Sequence, residues 1–442
     1  MSNEYIVVEQ SLGLQGEALL VGAKNAVLVT IASLLLTDGI SKLSNVPNSQ
    51  DVSCMIKLLE GLGARVIFDI KAHTLQVDTT GIHKYNVPHD IMKKMRASVL
   101  VMGPLLARFK RAELALPGGC VIGTRPINYH LINFEKMGVN IDFFGERLIA
   151  RVENLNAKKI VLEYPSVGAT ENIMMAAVLT KGVTKIINAA LEPEVLDLIA
   201  VLKKMGANIT VLPAATIQVE GVECLHPIEH VVMYDRLEAG TLLLAAAITG
   251  GDIYLPQAPA YAMDMFLLKL QEMGHEVTVG AGDVGVRLRA TSTPKAVSFK
   301  TGPYPGFPTD LQAPMMVAQC IAEGTCTVEE TVFENRLLHV RELQKMGAQI
   351  KVEHNKAFIT GVEQLYGTSV IATDIRASCA LVLAGFFAEG KTVMTGVHHF
   401  RRGYESLEKK FAKLGASITF CVEDTKGLCN FVQGDKYTEL EK

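Results

Sequence analysis

Six times along the chain an amphipathic helix ends in a glycine and gives way at once to a strand. The segments are "KLLEGLGARV" (57–66), "NFEKMGVNI" (133–141), "VLKKMGANI" (201–209), "KLQEMGHEV" (269–277), "ELQKMGAQI" (342–350) and "KKFAKLGASI" (409–418). Their glycines stand at 63, 138, 206, 274, 347 and 415, spaced by 75, 68, 68, 73 and 68 residues. Glycine just past a helix end adopts the left-handed conformation that closes the helix, and a lysine before it complements the dipole. After each glycine a strand, a short turn and another strand are expected, as in "ANITVLPAATIQVEG". A second, more apolar helix recurs out of phase, for example in "NAVLVTIASLLL", "ENIMMAAVLT" and "EAGTLLLAAAIT". Helices apolar on every side belong in the interior, and the amphipathic set belongs at the surface. Each unit of about 70 residues therefore holds two helices and a small mixed sheet. Six units imply two domains of three, with buried helices inside and sheets outside. An ordinary α/β array fits the same periodicity.

Composition narrows the class. The 442 residues allow roughly two to three domains. The chain is 49% hydrophobic and 20% charged with a net charge of −3, which gives no footprint of a nucleic-acid binder. Eight cysteines, at 54, 120, 224, 320, 326, 379, 421 and 429, include no C-x-x-C pair. They are too sparse for a disulfide scaffold and are expected reduced, in a cytoplasmic protein. The N-terminal "MSNEYIVVEQ" has no signal-peptide pattern, and the apolar run Ala26 to Leu36 is too short to span a membrane.

The loop "LPGGCVIGTRP" (116–126) sets a cysteine after two glycines and five residues before an arginine. Such flanks suit an exposed thiol beside a cation, although a loop thiol without a role fits too. "GAKNA" (22–26) places a lysine and an asparagine at the start of the first buried helix, where free N–H groups favour an anion. "MRASVL" (95–100) and "DIRASC" (374–379) put arginines at two other helix starts, "FPTDLQ" (307–312) an acid at a fourth, and "RRGYESLE" (401–408) arginines before an amphipathic helix. Asp310 at such a start also fits a helix cap. His130, His339, His398 and His399 have no metal-ligand spacing with acidic partners and read as structural. No phosphate-binding glycine loop of the nucleotide-hydrolase or dinucleotide kind is present.

Taken together, "GAKNA", "LPGGCVIGTRP", "SVGATE", "FPTDLQA", "ETVFENR", "DIRAS" and "RRGYE" follow one another as in the enolpyruvyl transferases, which the chain resembles from about residue 5 to about 420. The resemblance implies a two-domain inside-out α/β barrel with three pseudo-repeats per domain and the active site in the cleft between them. One domain would span 24–233, and the other 1–23 with 234–442. The implied reaction moves the enolpyruvyl group of phosphoenolpyruvate to the 3′-hydroxyl of UDP-N-acetylglucosamine with release of phosphate, the first committed step of peptidoglycan synthesis. No cofactor or metal is implied. The expected partners are these two small molecules, with no nucleic acid and no membrane.

The resemblance also assigns roles. Cys120 matches the catalytic cysteine that gives a proton to C3 of phosphoenolpyruvate, forms a covalent phospholactoyl adduct and is alkylated by fosfomycin. Lys24, Arg125 and Arg402 match the cations that hold phosphoenolpyruvate, and Arg96 and Arg376 are candidates to join them. Arginine suits phosphate and carboxylate through its planar fork. Asp310 matches the base near the 3′-hydroxyl, and Asn25 a contact to the hydroxyl or the tetrahedral intermediate. The sugar nucleotide is expected along Arg125, Pro126, Ile127, Asn128 and Tyr129 and along Ser166, Val167 and Gly168, with Val332 and Arg336 near the sugar. Asp235 and Glu238 read as structural. Gln50 and Tyr164 stand where the family commonly has lysine, and Arg401 stands where an acid is common and is expected to restore positive field. Two other readings fit less well: a shikimate-type enolpyruvyl transferase, which lacks the cysteine loop, and an inactive paralogue that binds a nucleotide sugar.

Overall fold

The computed structural model describes residues 3–87, 95–115, 122–123, 127–423 and 429–431. The chain divides into two compact units. One comprises Val21–Cys120 and Thr124–Tyr234, the other Met1–Leu20, Val121–Gly123 and Asp235–Lys442.

The six repeated glycines share one backbone state. Gly63, Gly138, Gly206, Gly274, Gly347 and Gly415 have φ between 93° and 111°. A side chain there would press on the following carbonyl, so glycine ends each helix cleanly. The hairpins that follow alternate as half-buried strands must. In Thr74–Asp78, Leu75 and Val77 are buried, and in Thr216–Glu220, Ile217 and Val219 are.

In the first unit each sheet repeats one plan. The strand after a buried helix (Ile40–Ser44, Arg111–Ala115 or Val183–Ile187) pairs antiparallel with the second strand of a hairpin. A short parallel partner flanks it: Glu229–Val231, a bridge at Asn86, or Lys159–Val161. The second unit follows the same plan in two sheets, with Gln15–Glu17 and Phe299–Lys300 as the parallel partners. Its third sheet differs from expectation. The strand Asn3–Glu9 lies between Lys391–Thr395 and Ser417–Glu423, antiparallel to both, where the other repeats have their own second hairpin strand. The sixth repeat is thus completed by residues from the opposite end of the sequence, while Cys429–Phe431 pairs on the outer side of Ser417–Glu423.

The apolar helices are buried as their composition demands. Helix α1 (Lys24–Ser33) is buried at every residue but Asn25. The others of this set are α3 (Met102–Phe109), α5 (Val167–Ala177), α7 (Arg236–Thr249), α9 (Gln312–Cys320) and α11 (Ile375–Phe387). Both α7 and α9 are buried along their whole length. In the second unit α7, α9 and α11 pack against one another. Gly240 of α7 makes room for Leu311, whose side chain would lie 2.5 Å from a Cβ there, so the turn before α9 seats closely on α7. The amphipathic helices α2 (Gln50–Leu62), α4 (Asn128–Lys136), α6 (Pro193–Lys204), α8 (Asp264–Glu272) and α10 (Val340–Lys345) each bury one face. Among the described residues no helix is long and apolar enough to cross a membrane.

Gly206→Ala should lower stability by about 1 kcal/mol through backbone strain alone, because the nearest atom to a Cβ there is 3.9 Å away. Gly302→Ala, with open space and no left-handed backbone, should leave it unchanged. The midpoints of urea unfolding of the two variants check this.

Candidate active site

In the first unit, α1 opens with Lys24. The residue is 9% exposed, and its ammonium donates to Asp51 Oδ2 at 3.2 Å. Asp51 lies in the first turn of α2, whose start is capped by Ser49 accepting from the Val52 N–H. The pair therefore ties two helix starts together. Asn25 and Gln50, beside these two charges, are exposed. A helix start with one exposed amide side chain and a cation held by a single carboxylate suits an anionic or polar ligand.

The segments 127–129 and 166–168 meet through a buried amide. Asn172 Nδ2 lies 2.8 Å from the Val99 carbonyl and 3.0 Å from His130 Nδ1, while its Oδ1 accepts from the Gly103 N–H at 2.6 Å. His130 in turn packs on Gly168, where a Cβ would stand 3.2 Å from the imidazole. Ser166 caps α5 by accepting from the Ala169 N–H. Asn172 ties α5 to α4 through His130; its amide was not singled out in the sequence, although it directly follows "SVGATE". Glu171, beside it, is fully buried. Burial first, then the charges of Glu194 and Glu192, pushes its carboxyl well above the ordinary range.

In the second unit, Asp310 is the middle residue of a 3₁₀ turn, Thr309–Leu311, that leads into α9. The N-cap residues of that turn and of α9 are Pro308 and Leu311, so Asp310 does not occupy a cap position. Its carboxylate instead meets two guanidiniums. Arg336 Nη2 donates to Oδ1 at 2.8 Å, and Arg376 Nη2 donates to Oδ2 at 3.3 Å. Both arginines are buried, at 4% and 5% exposure, which excludes a solvated surface role for either. Burial opposes the charge of Arg376, but Asp310, with Tyr404 and Asp235, outweighs it and raises the guanidinium's pKa well above its usual value. Arg376 enters through α11, capped by Asp374, whose carboxylate accepts from the N–H groups of Arg376 and Ala377. Asp235 caps α7 in the same way, and Glu238 pairs with Lys410 at 2.6 Å.

Glu330 organises the neighbouring loop. It is 2% exposed and accepts from the N–H groups of Val332 and Phe333 and from the Thr309 hydroxyl. Val332 and Arg336 are thereby held next to the turn that carries Asp310. Burial lowers His339 to about 4, and burial followed by the charge of the neighbouring His398 lowers His399 to about 4, so both are neutral near pH 7. Arg402 lies half-buried on α12 (Val397–Gly403). Arg401, expected to add positive field, is paired with Glu4 at 3.2 Å and rests on the Phe420 ring, so its charge is offset locally. Cys120, Arg125 and Pro126 lie outside the described residues, as does the side chain of Arg96. Among the described residues no cluster of His, Cys, Asp or Glu is placed to hold a metal ion.

Residues 8–411 match the model of the EPSP synthase (3-phosphoshikimate 1-carboxyvinyltransferase) family. The UDP-N-acetylglucosamine 1-carboxyvinyltransferase 1 of Caldanaerobacter subterraneus subsp. tengcongensis is 48% identical over 93% of this chain and 98% of its own. The UDP-N-acetylglucosamine 1-carboxyvinyltransferase of Finegoldia magna is 45% identical over 94% and 98%. Among solved structures, the enolpyruvyl transferase NikO from Streptomyces tendae superposes with a TM-score of 0.87 at 23% identity, covering 96% of this chain and all of that one. The EPSP synthase of Acinetobacter baumannii reaches 0.75 at 16%, covering 95% and 99%. At those identities the structures establish a shared fold.

Glu171 gives a pH test. A carboxyl favoured in its protonated form when folded adds stability below the ordinary value of 4.5 and loses it as pH rises through the raised folded value. Glu171→Gln should therefore match the parent near pH 4 and exceed it by a margin that widens toward neutral pH. Thermal unfolding across that range checks the sign.

Proposed function

The chain belongs to the EPSP synthase (3-phosphoshikimate 1-carboxyvinyltransferase) family, among its UDP-N-acetylglucosamine 1-carboxyvinyltransferases, and from that premise we propose how its residues carry the reaction. It transfers the enolpyruvyl group of phosphoenolpyruvate to the 3′-hydroxyl of UDP-N-acetylglucosamine and releases phosphate, in the cytoplasm, at the entry to peptidoglycan synthesis. Residues 24–233 form one functional domain, and residues 1–23 with 234–442 the other.

The observation that carries this reading is 44–48% identity over more than nine-tenths of the chain to relatives of that one name. The fold likeness to EPSP synthase, at 16% identity, gives no comparable support for shikimate as acceptor. In the proposed mechanism Cys120 protonates C3 of phosphoenolpyruvate as the 3′-oxygen attacks C2, and Asp310 receives the hydroxyl proton. The tetrahedral ketal then loses a C3 proton and phosphate, which restores the double bond. Lys24, Arg125 and Arg402 hold the phosphate and carboxylate, joined by Arg96 and Arg376, and Asn25 contacts the hydroxyl. The sugar nucleotide runs along Arg125, Pro126, Ile127, Asn128 and Tyr129 and along Ser166, Val167 and Gly168, with Val332 and Arg336 at the sugar. The joining of 127–129 to 166–168 through His130 and Asn172 supports that path. The arginine pair on Asp310 supports its role by fixing the carboxylate's direction.

Phosphate release from phosphoenolpyruvate should require UDP-N-acetylglucosamine and vanish in Cys120→Ala. Cys120→Asp, which keeps an acid, should retain release and lose the fosfomycin adduct seen by mass spectrometry on the parent. Asp310→Asn should lower kcat by about 10²-fold to 10⁴-fold, the usual worth of a positioned base. Release without the sugar nucleotide, or unchanged in Cys120→Ala, would sink the assignment.

A further inference from the structure

Behind Asp310 lies a second layer that the reaction as described does not use. Tyr404, 5% exposed on the chain just past α12, lies between α7 and α11. Its hydroxyl accepts from Arg376 Nη1 at 2.8 Å and lies 3.2 Å from the Thr241 hydroxyl on α7. Thr241 donates to the Leu237 carbonyl at 2.8 Å, the backbone oxygen one helical turn back. One set of proton directions fits these contacts. Thr241 has committed its proton to Leu237, and a guanidinium only donates, so the phenol's own proton goes to Thr241 Oγ1. The Cys379 thiol also lies against both hydroxyls, but thiol sulfur is a weak acceptor. The line runs Arg376 to Tyr404 to Thr241 to the α7 backbone, every hydrogen bond pointing the same way.

Arg376 is therefore held at both terminal nitrogens, one on Tyr404 and one on Asp310. Arg336, the other partner of Asp310, has a buried Nε with no hydrogen-bond partner among the described residues, and its guanidinium carbon lies 5.5 Å from the centre of the Phe333 ring. The longer contact, 3.3 Å to Oδ2, is the one whose position Tyr404 sets. We infer that Tyr404, supported by Thr241, is a positioning residue that anchors Arg376 from behind and so fixes the placement of the Asp310 carboxylate for proton transfer. Its catalytic part rests on the carboxyvinyl-transfer reading above; the anchoring itself does not.

Two measurements separate these. In turnover, Tyr404→Phe should lower kcat about tenfold to a hundredfold, the range of a lost hydrogen bond to a charged group, with both KM values within twofold. Thr241→Val should give a loss of the same kind, and Thr241→Ser should restore the parent value. In an Arg376→Lys background, Tyr404→Phe should cost nothing further, since its effect passes through that guanidinium. Parent kcat in Tyr404→Phe, or a loss that simply adds in the Arg376→Lys background, overturns the inference. The second measurement needs no turnover. Side-chain ¹⁵N spectra of Arg376 should show hindered guanidinium rotation in the parent, relieved in Tyr404→Phe. Free rotation in the parent overturns the anchoring whatever the assay gives. If the parent releases no phosphate yet shows hindered rotation that Tyr404→Phe relieves, the reaction reading falls and the anchoring stands.

Discussion

An α-helix buried on every side still begins with amide groups that nothing inside it can satisfy. Among the described residues six helices are buried along all or most of their length, and that requirement decides where their polar residues go. Ser166, Asp235 and Asp374 answer it directly, each accepting from the first amides of its helix. Lys24, Asp310 and Arg376 stand at the same kind of position without capping. Helix interiors lined by leucine, alanine and methionine offer little room for charge. The starts, and the loops just before them, are where a binding site can be built without opening the core.

Charge balance follows the same logic. Arg336 and Arg376 are each nearly inaccessible, and a buried guanidinium without a counter-charge costs several kcal/mol. Asp310 serves both, so within that trio one positive charge stays in excess. Lys24, by contrast, is matched one to one by Asp51. Glu171 shows the opposite solution. Burial, and then the charges of Glu194 and Glu192, push its carboxyl toward the protonated form.

The repeats were legible because left-handed glycine after a helix is a local requirement, written in adjacent letters. The buried helices were legible from apolarity on all faces, and the ordered motifs pointed to Lys24, Asp310 and Arg376. Contacts made across the fold were not. Tyr404 and Thr241 are 163 positions apart, and no spacing rule links them. Asp310 reads as the base near a hydroxyl and also as a helix cap, and its pairing with two buried arginines shows only once the turn's geometry is known. Arg401 reads as free charge because Glu4, which offsets it, is 397 positions away. Glu330 was hidden for another reason: a glutamate in an acidic pair looks like a solvated face, and only burial shows it gathering the backbone of its own loop.

The strand Asn3–Glu9 has a bearing on how the molecule is made. It leaves the ribosome well before either of its neighbours, Lys391–Thr395 and Ser417–Glu423. The unit formed by Val21–Cys120 and Thr124–Tyr234 has all its strands in hand once residue 234 has emerged. The other unit must wait with an unpaired apolar strand, Ile6 and Val8 destined for full burial, until residue 423 has emerged. Topology thus leaves an interval between the emergence of one unit's last strand and that of the other's. That interval is when the protein most needs protection from wrong strand pairing.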